Sequence, residues 1–275
     1  MLRHVKQIEP AEGRDAQAAT LHRRVFTPDQ GNRQYMGFIH LQSAPSPAGH
    51  TTEPYRKSAE ETIYTLAGSM RMVMDDVTYD LTPGTALAIS RGQVISDAQV
   101  GPDGWEALTA FCSQCPLYLA DHPRFPAGTT IPADFPDEPA PSTSYERFLC
   151  VSDVTPVEGA ESTSQTLHRD VFSPAQGNRE FQSFMHLTSG PSPAADGSKP
   201  PFRKSGEEVI YTLEGSSISI QNGTPQHLDP GTAIAIARDD LMQSGGTAAG
   251  GSKKLSWYCM RCPLYLPDHP RYANP

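Results

Sequence analysis

Tyr55-Arg56-Lys57-Ser58-Ala59-Glu60-Glu61-Thr62-Ile63-Tyr64-Thr65-Leu66-Ala67-Gly68 decides how this chain folds, because it is written twice. The second copy is Phe202-Arg203-Lys204-Ser205-Gly206-Glu207-Glu208-Val209-Ile210-Tyr211-Thr212-Leu213-Glu214-Gly215. Each opens with charge, continues through β-branched and aromatic residues, and closes on Gly. Such a run, ended by a turn residue, reads as a β-strand.

The likeness extends outward from this stretch. Leu21-His22-Arg23 returns as Leu167-His168-Arg169, and Phe38-Ile39-His40-Leu41 as Phe184-Met185-His186-Leu187. Pro83-Gly84-Thr85-Ala86 returns as Pro230-Gly231-Thr232-Ala233. The chain is therefore a tandem repeat. Its expected parts are an N-terminal unit over residues 1–125 and a C-terminal unit over residues 146–275. Residues 126–145 hold Pro126, Pro132, Pro136, Pro139 and Pro141, which predicts a semi-stiff linker.

Within one unit, strands are expected over 34–42, 61–66, 70–73, 77–81, 86–89 and 105–111. Asp75-Asp76 is the expected hairpin turn, matched by Asn222-Gly223 in the second unit. Gly68 marks the turn after the quoted strand, and 11–19 is the one stretch with helical composition. Short strands separated by turns predict an all-β sandwich or barrel. The 26 Pro and 22 Gly of the 275 residues favour the same class.

A net charge of −9 and a pI near 5.4 disfavour binding to nucleic acid or to an anionic membrane surface. Mean hydropathy is −0.46, and no run of 18 apolar residues is present, so no membrane span is expected. Met1 to Gln7 lacks the apolar core of a signal peptide. The five Cys are an odd number, which suits reduced thiols and a cytoplasmic location.

With both units in view, the chain resembles the cupin superfamily and the pair resembles a bicupin. The family's first motif ends with a Glu, six residues and a Gly, the spacing of Glu61 to Gly68 and of Glu208 to Gly215. Its second motif is matched by Gly84 and Gly92, and by Gly231. The resemblance covers nearly all of both units. It implies two tandem jelly-roll cupin barrels related by pseudo-twofold symmetry, each with an internal pocket. It also places the family's metal-binding His pair on Tyr55 and Lys57, and on Phe202 and Lys204. The second motif's His falls on Ile95 and on Met242. No metal cofactor is therefore expected, since a lone carboxylate is a poor ligand set.

Lys57 with Glu61, and Lys204 with Glu208, are the leading candidates for chemistry. Tyr55 and Lys57 share a strand face by their spacing. Two readings stand for the pairs: a buried ion pair in place of a metal, or a Lys and Glu with tuned acidities. His40 and His186 are candidate general bases if their strand face meets the pocket. Tyr64 and Tyr211 have the opposite parity and read as core. Arg33 and Arg179 read as anion anchors or loop ties.

Cys112, Cys115 and His122, repeated as Cys259, Cys262 and His269, form a Cys-x2-Cys-x6-His pattern. It reads either as buried thiols or as a zinc hook short of a fourth ligand. Phe202 and Met242, replacing Tyr55 and Ile95, predict a more apolar and less active second pocket.

The expected function is metal-independent isomerisation, elimination or cyclisation of a small-molecule substrate. Lys57, Glu61, Tyr55 and His40, with Lys204, Glu208 and His186, are its candidate residues. The alternatives are a non-catalytic binding bicupin and a zinc or iron protein with a Cys/His/Glu ligand set. A monomeric bicupin or a homodimer is expected.

Overall fold

The fold was obtained as a computed structural model. It describes residues 1–12, 20–27, 30, 36–57, 59–90, 92–112, 124–126, 147–158, 166–173, 182–193, 201–204, 206–259 and 271–273. The first half supplies β1 (Leu2–His4), β2 (Ala11–Glu12), β3 (Thr20–Phe26), β4 (Met36–Ser43) and β5 (Tyr55–Lys57). It continues with β6 (Glu61–Met74), β7 (Val77–Leu81), β8 (Thr85–Ile89), β9 (Val94–Cys112) and β10 (Arg124–Pro126). The second half repeats the plan with β11 (Phe148–Cys150), β12 (Val157–Glu158), β13 (Thr166–Phe172), β14 (Gln182–Ser189) and β15 (Phe202–Lys204). It ends with β16 (Glu208–Gln221), β17 (Thr224–Leu228), β18 (Thr232–Ile236), β19 (Leu241–Cys259) and β20 (Arg271–Ala273). Among the described residues there is no α-helix, as the all-β reading expects. Of the helical candidate 11–19, Ala11–Glu12 is instead a strand paired with β3, and 13–19 lie outside the described residues.

The strands form two antiparallel sheets. In one the order is β11-β8-β6-β9-β4-β3-β2, with β7 on β6 and β5 on β9. In the other it is β1-β18-β16-β19-β14-β13-β12, with β17 on β16 and β15 on β19. The first strand of each half thus completes the sheet of the other half. Leu2 pairs with Ile234, and Phe148 with Leu87. Each addition covers a buried strand, β18 or β8, that would otherwise end in unpaired backbone. The compact units accordingly differ from the expected 1–125 and 146–275. Met1–Ile8 groups with the C-terminal sheet, and Glu9–Asp153 forms the bulk of the N-terminal one. Of the expected linker only Pro126 is described, and its backbone pairs with Tyr55.

Two local features explain the strand lengths. Asp75 and Asp76 have φ of 49° and 64°, and Asn222 and Gly223 have 51° and 78°. Both central residues are left-handed, as the tightest hairpins require. Gly68, expected at a turn, instead lies inside β6 at a break in register. Its φ is +68°, and a Cβ there would lie 2.0 Å from the Gly104 carbonyl oxygen. It is a bulge position, so β6 bends without ending.

The bend closes each sheet round an apolar interior. In the N-terminal barrel Ile63, Met70, Met72, Met74, Leu87 and Trp105 form its centre. In the C-terminal barrel Leu228, Ile234, Ile236 and Met242 cluster, with Leu2, Phe202 and Ile210 packed on them.

Candidate active site

Register fixes which side chains share the interior of the N-terminal barrel. Glu61, Ile63 and Thr65 on β6 oppose Phe111, Thr109 and Ala107 on β9. Those three in turn oppose Gly37, Ile39 and Leu41 on β4. Strand β5 lies along β9, with Tyr55 opposite Ile95. The Lys57 N–H donates to the Gln93 carbonyl at 2.9 Å, and the Lys57 carbonyl accepts from Gly92 N–H at 2.8 Å. Held there, Lys57 Nζ meets Glu61 Oε2 in an ion pair whose side chains are only 8% and 9% exposed. Thr109 Oγ1 donates to the other carboxylate oxygen, Oε1, at 2.5 Å. Buried charges persist only when paired and hydrogen-bonded, and both conditions are met.

The C-terminal barrel builds the same pair with an extra partner. Lys204 Nζ meets Glu208 Oε2, and the side chains are 3% and 2% exposed. Ser256 Oγ donates to Glu208 Oε1 at 2.6 Å, taking the role of Thr109. Lys204 Nζ also donates to the Tyr258 hydroxyl at 2.9 Å and lies 4.6 Å from the centre of that ring. Burial opposes ionisation of Glu208 and is the largest single influence on it. The Lys204 charge, with hydrogen bonds from Lys204, Ser256 and Tyr258, nonetheless holds the carboxyl below its usual value. The site is thus a carboxylate touching an ammonium, a base and an acid in one contact.

His40 and His186 are not part of these sites. Each follows an interior residue on its strand, Ile39 or Met185, and so points to the other face of the sheet. There Arg23 Nη1 donates to His40 Nδ1 at 3.4 Å, which leaves Nε2 to donate to Glu106 Oε1 at 2.7 Å. Arg169 Nη1 donates to His186 Nδ1 at 3.4 Å. His186 is lowered from 6.5 to about 4, first by burial and then by the Arg169 and Lys253 charges, with Glu214 opposing. A base in either pocket therefore has to come from elsewhere. Tyr64 and Tyr211 also face away from the carboxylates, as their parity predicts.

Positions where the resemblance puts metal ligands do come together. Tyr55 abuts Ile95 and Lys57 touches Glu61. The donor set does not fit a divalent cation. Its one carboxylate is already held by an ammonium, whose charge would repel the ion. Among the described residues no group of three or more His, Cys, Asp or Glu is gathered. Cys115, His122, Cys262 and His269, with Arg33 and Arg179, lie outside the described residues. Cys259 is buried.

Three contributors escaped the sequence reading. Thr109 and Ser256 bind the carboxylates, and Tyr258 binds Lys204. All lie on alternate positions of β9 or β19, so strand parity on those segments would have shown them beside Glu61 or Glu208. Comparing the repeats would have shown more. Ala107 is replaced by Lys254, Trp105 by Ser252, and Met70, Met72 and Met74 by Ser217, Ser219 and Gln221. The second pocket is consequently the more polar one. The expected apolar character holds only at Phe202 and Met242.

Solved structures of oxalate decarboxylase share this architecture. The Bacillus subtilis enzyme at pH 4.6 matches with a TM-score of 0.62 and 13% identity, over 94% of this chain and 75% of that one. A serine-to-alanine mutant of the same enzyme matches with a TM-score of 0.61 and 13% identity, over 99% and 78%. A third structure of it, concerned with its Mn(II) centres, gives 0.62 and 13% over 94% and 76%. No family model and no curated protein matches the chain. At such identity the likeness is one of fold, and the fold is that of a bicupin: two tandem jelly-roll cupin barrels.

Proposed function

We propose that this bicupin transforms a small metabolite by metal-independent proton transfer, using Lys57–Glu61 and Lys204–Glu208. The observation that most supports this reading is the buried ammonium–carboxylate contact, present in both barrels with a hydroxyl on the second carboxylate oxygen. Such a pair offers complementary chemistry. The ammonium polarises a substrate carbonyl and stabilises the oxyanion that develops on it. The carboxylate removes the proton from the adjacent carbon, and the resulting enolate can isomerise, eliminate or cyclise. The hydroxyl of Thr109 or Ser256 aims the carboxylate. Tyr55 lines the first pocket and Phe202 the second. The neighbours' chemistry with Mn(II) is not carried over, because the donor set here does not fit that ion.

Solvent hydrogen exchange tests this without knowledge of the net reaction. Protein treated with a chelator is incubated in D2O with small ketones, keto acids and hydroxy acids, and loss of α-proton signals is followed by NMR. Wild type should catalyse exchange in at least one compound. Glu61→Gln with Glu208→Gln should slow it by about a hundredfold or more while the fold is kept. Exchange that persists in the double variant would remove the mechanism.

A further inference from the structure

The C-terminal barrel carries a second lysine that the proton-transfer reading does not use. Lys254 lies on β19 directly opposite Thr212 on one side and Leu187 on the other. Its parity matches Ser256 and Tyr258, so it points into the interior that holds Lys204 and Glu208. It has no hydrogen bond or ion pair among the described residues, although the Glu208 charge acts on it. The N-terminal barrel has Ala107 at the same place, so the lysine is not required for the fold.

Buried hydroxyls without partners lie on the same strand, β19, and on the facing strand β16. Thr212 Oγ1, Ser217 Oγ and Ser252 Oγ are buried and have no hydrogen-bond partner among the described residues, and their residues are 1%, 7% and 5% exposed. The first barrel shows why Thr212 is orphaned. There the Trp105 indole N–H donates to Thr65 Oγ1 at 3.3 Å. The second barrel has Ser252 instead of Trp105, which removes both the donor and the bulk of an indole.

An unmet buried hydroxyl is costly, and an unpaired half-buried ammonium adds to that cost. An anion with two acceptor oxygens satisfies the ammonium and the hydroxyls beside it together. We infer that the C-terminal barrel binds a small organic carboxylate, with Lys254 as its ionic anchor and the hydroxyls of Thr212, opposite it, and Ser252, two residues before it, as its donors. A carboxylate fits because its two oxygens accept up to about four hydrogen bonds while carrying one charge. Burial also lowers the Lys254 ammonium from 10.5 to about 8, with Glu208 opposing, so the cation is desolvated before any ligand arrives. Desolvation strengthens the attraction for an anion. The first barrel, with Ala107 and Trp105, has neither the charge nor the room. The inference stands apart from the proton-transfer proposal, since binding requires no turnover.

Calorimetric titration and thermal melting of the full chain provide the test, with acetate, L-lactate and inorganic phosphate as probes. Acetate or lactate should bind and raise the melting temperature. Lys254→Met, which keeps the side-chain length, should weaken that binding by about tenfold or more. Ser252→Trp, restoring the residue of the first barrel, should block it. Lys254→Ala repeats the test with the side chain the first barrel already tolerates. The inference is overturned if neither carboxylate binds at about 10 mM. It also fails if both Lys254 variants bind as wild type does, or if phosphate binds as well as the carboxylates.

Discussion

In the N-terminal barrel the Lys57–Glu61 pair shares its interior with Ile63, Trp105, Phe111 and the methionines Met70, Met72 and Met74. In the C-terminal barrel the equivalent positions hold Ile210, Ser252, Tyr258, Ser217, Ser219 and Gln221. The ion pair was kept through the duplication while nearly everything round it changed polarity. Keeping it is costly in either setting, because two charges are withdrawn from water. A purely structural pair would be easiest to lose in the greasier barrel, where an apolar replacement would pack against methionine and indole. Its persistence there is the better argument for chemistry. The second barrel argues instead for binding, since it has a further cation, Lys254 for Ala107, and less bulk, Ser252 for Trp105.

The most severe way to break the comparison is to remove one carboxylate from each barrel. Glu61→Ala and Glu208→Ala each strand a buried ammonium, at about 3–5 kcal/mol. Glu208→Ala should cost more, because it leaves Lys204 and Lys254 together in one interior. Adding Lys254→Ala to Glu208→Ala should then recover stability, whereas no such rescue exists in the first barrel. Trp105 and Trp257 are the only two tryptophans, one in each sheet. Urea unfolding followed by fluorescence can therefore assign each loss once the other Trp is changed to Phe. Equal costs, or no rescue, would show that Lys254 does not feel the Lys204–Glu208 pair.

A smaller effect sharpens the difference at the aromatic wall. A Cβ on Gly37 would sit 2.0 Å from Phe111 Cζ, so the ring lies over that glycine. In the second barrel the corresponding residues are Ser183 and Tyr258, paired across β14 and β19. The tyrosine is turned to Lys204 and leaves room for the serine. Gly37→Ser alone should cost about 1–3 kcal/mol through overpacking. Gly37→Ser with Phe111→Tyr should regain part of it by giving the ring a hydroxyl anchor at Lys57. Denaturant midpoints measure both, and no recovery in the double variant would mean that the ring orientation is set by something other than these two residues.

The duplicated stretch made the barrel legible because strand parity, hairpin turns and a repeated Glu-to-Gly spacing are local signals. The Lys–Glu contact was legible for the same reason. The strand exchange was not. Leu2–His4 and Phe148–Cys150 are ordinary three-residue strands, and nothing in their composition says which of two near-identical edges, β18 or β8, each will cover. That choice depends on chain path, a non-local property. The histidines failed differently. Phe38-Ile39-His40-Leu41 is apolar on both faces, so alternation could not tell which side met the pocket. Only the register with β9 decides it.

On that far face the barrels differ by one charge, and this sets the smallest of the expected effects. His40 donates to Glu106, whereas Lys253 occupies the equivalent place near His186 and pairs with Glu214 at 2.8 Å. Arg169, Lys253 and Glu214 are the charged groups acting on His186, and burial adds to the two cations in keeping it neutral. With a folded value of about 4 against 6.5, His186 binds no proton in the fold at a pH where the unfolded chain does. Its contribution to stability is therefore complete above pH 6.5 and is lost as pH falls from 6.5 towards about 4. Lys253→Glu copies the first barrel's charge and should raise the titration of His186 and flatten the acid limb of the stability curve. The Cε1–H signal of His186, assigned by its loss in His186→Gln, reads the titration directly. A midpoint that stays near 4 in Lys253→Glu would leave burial and Arg169 as sufficient causes, and the charge difference between the two far faces would then carry no energetic consequence.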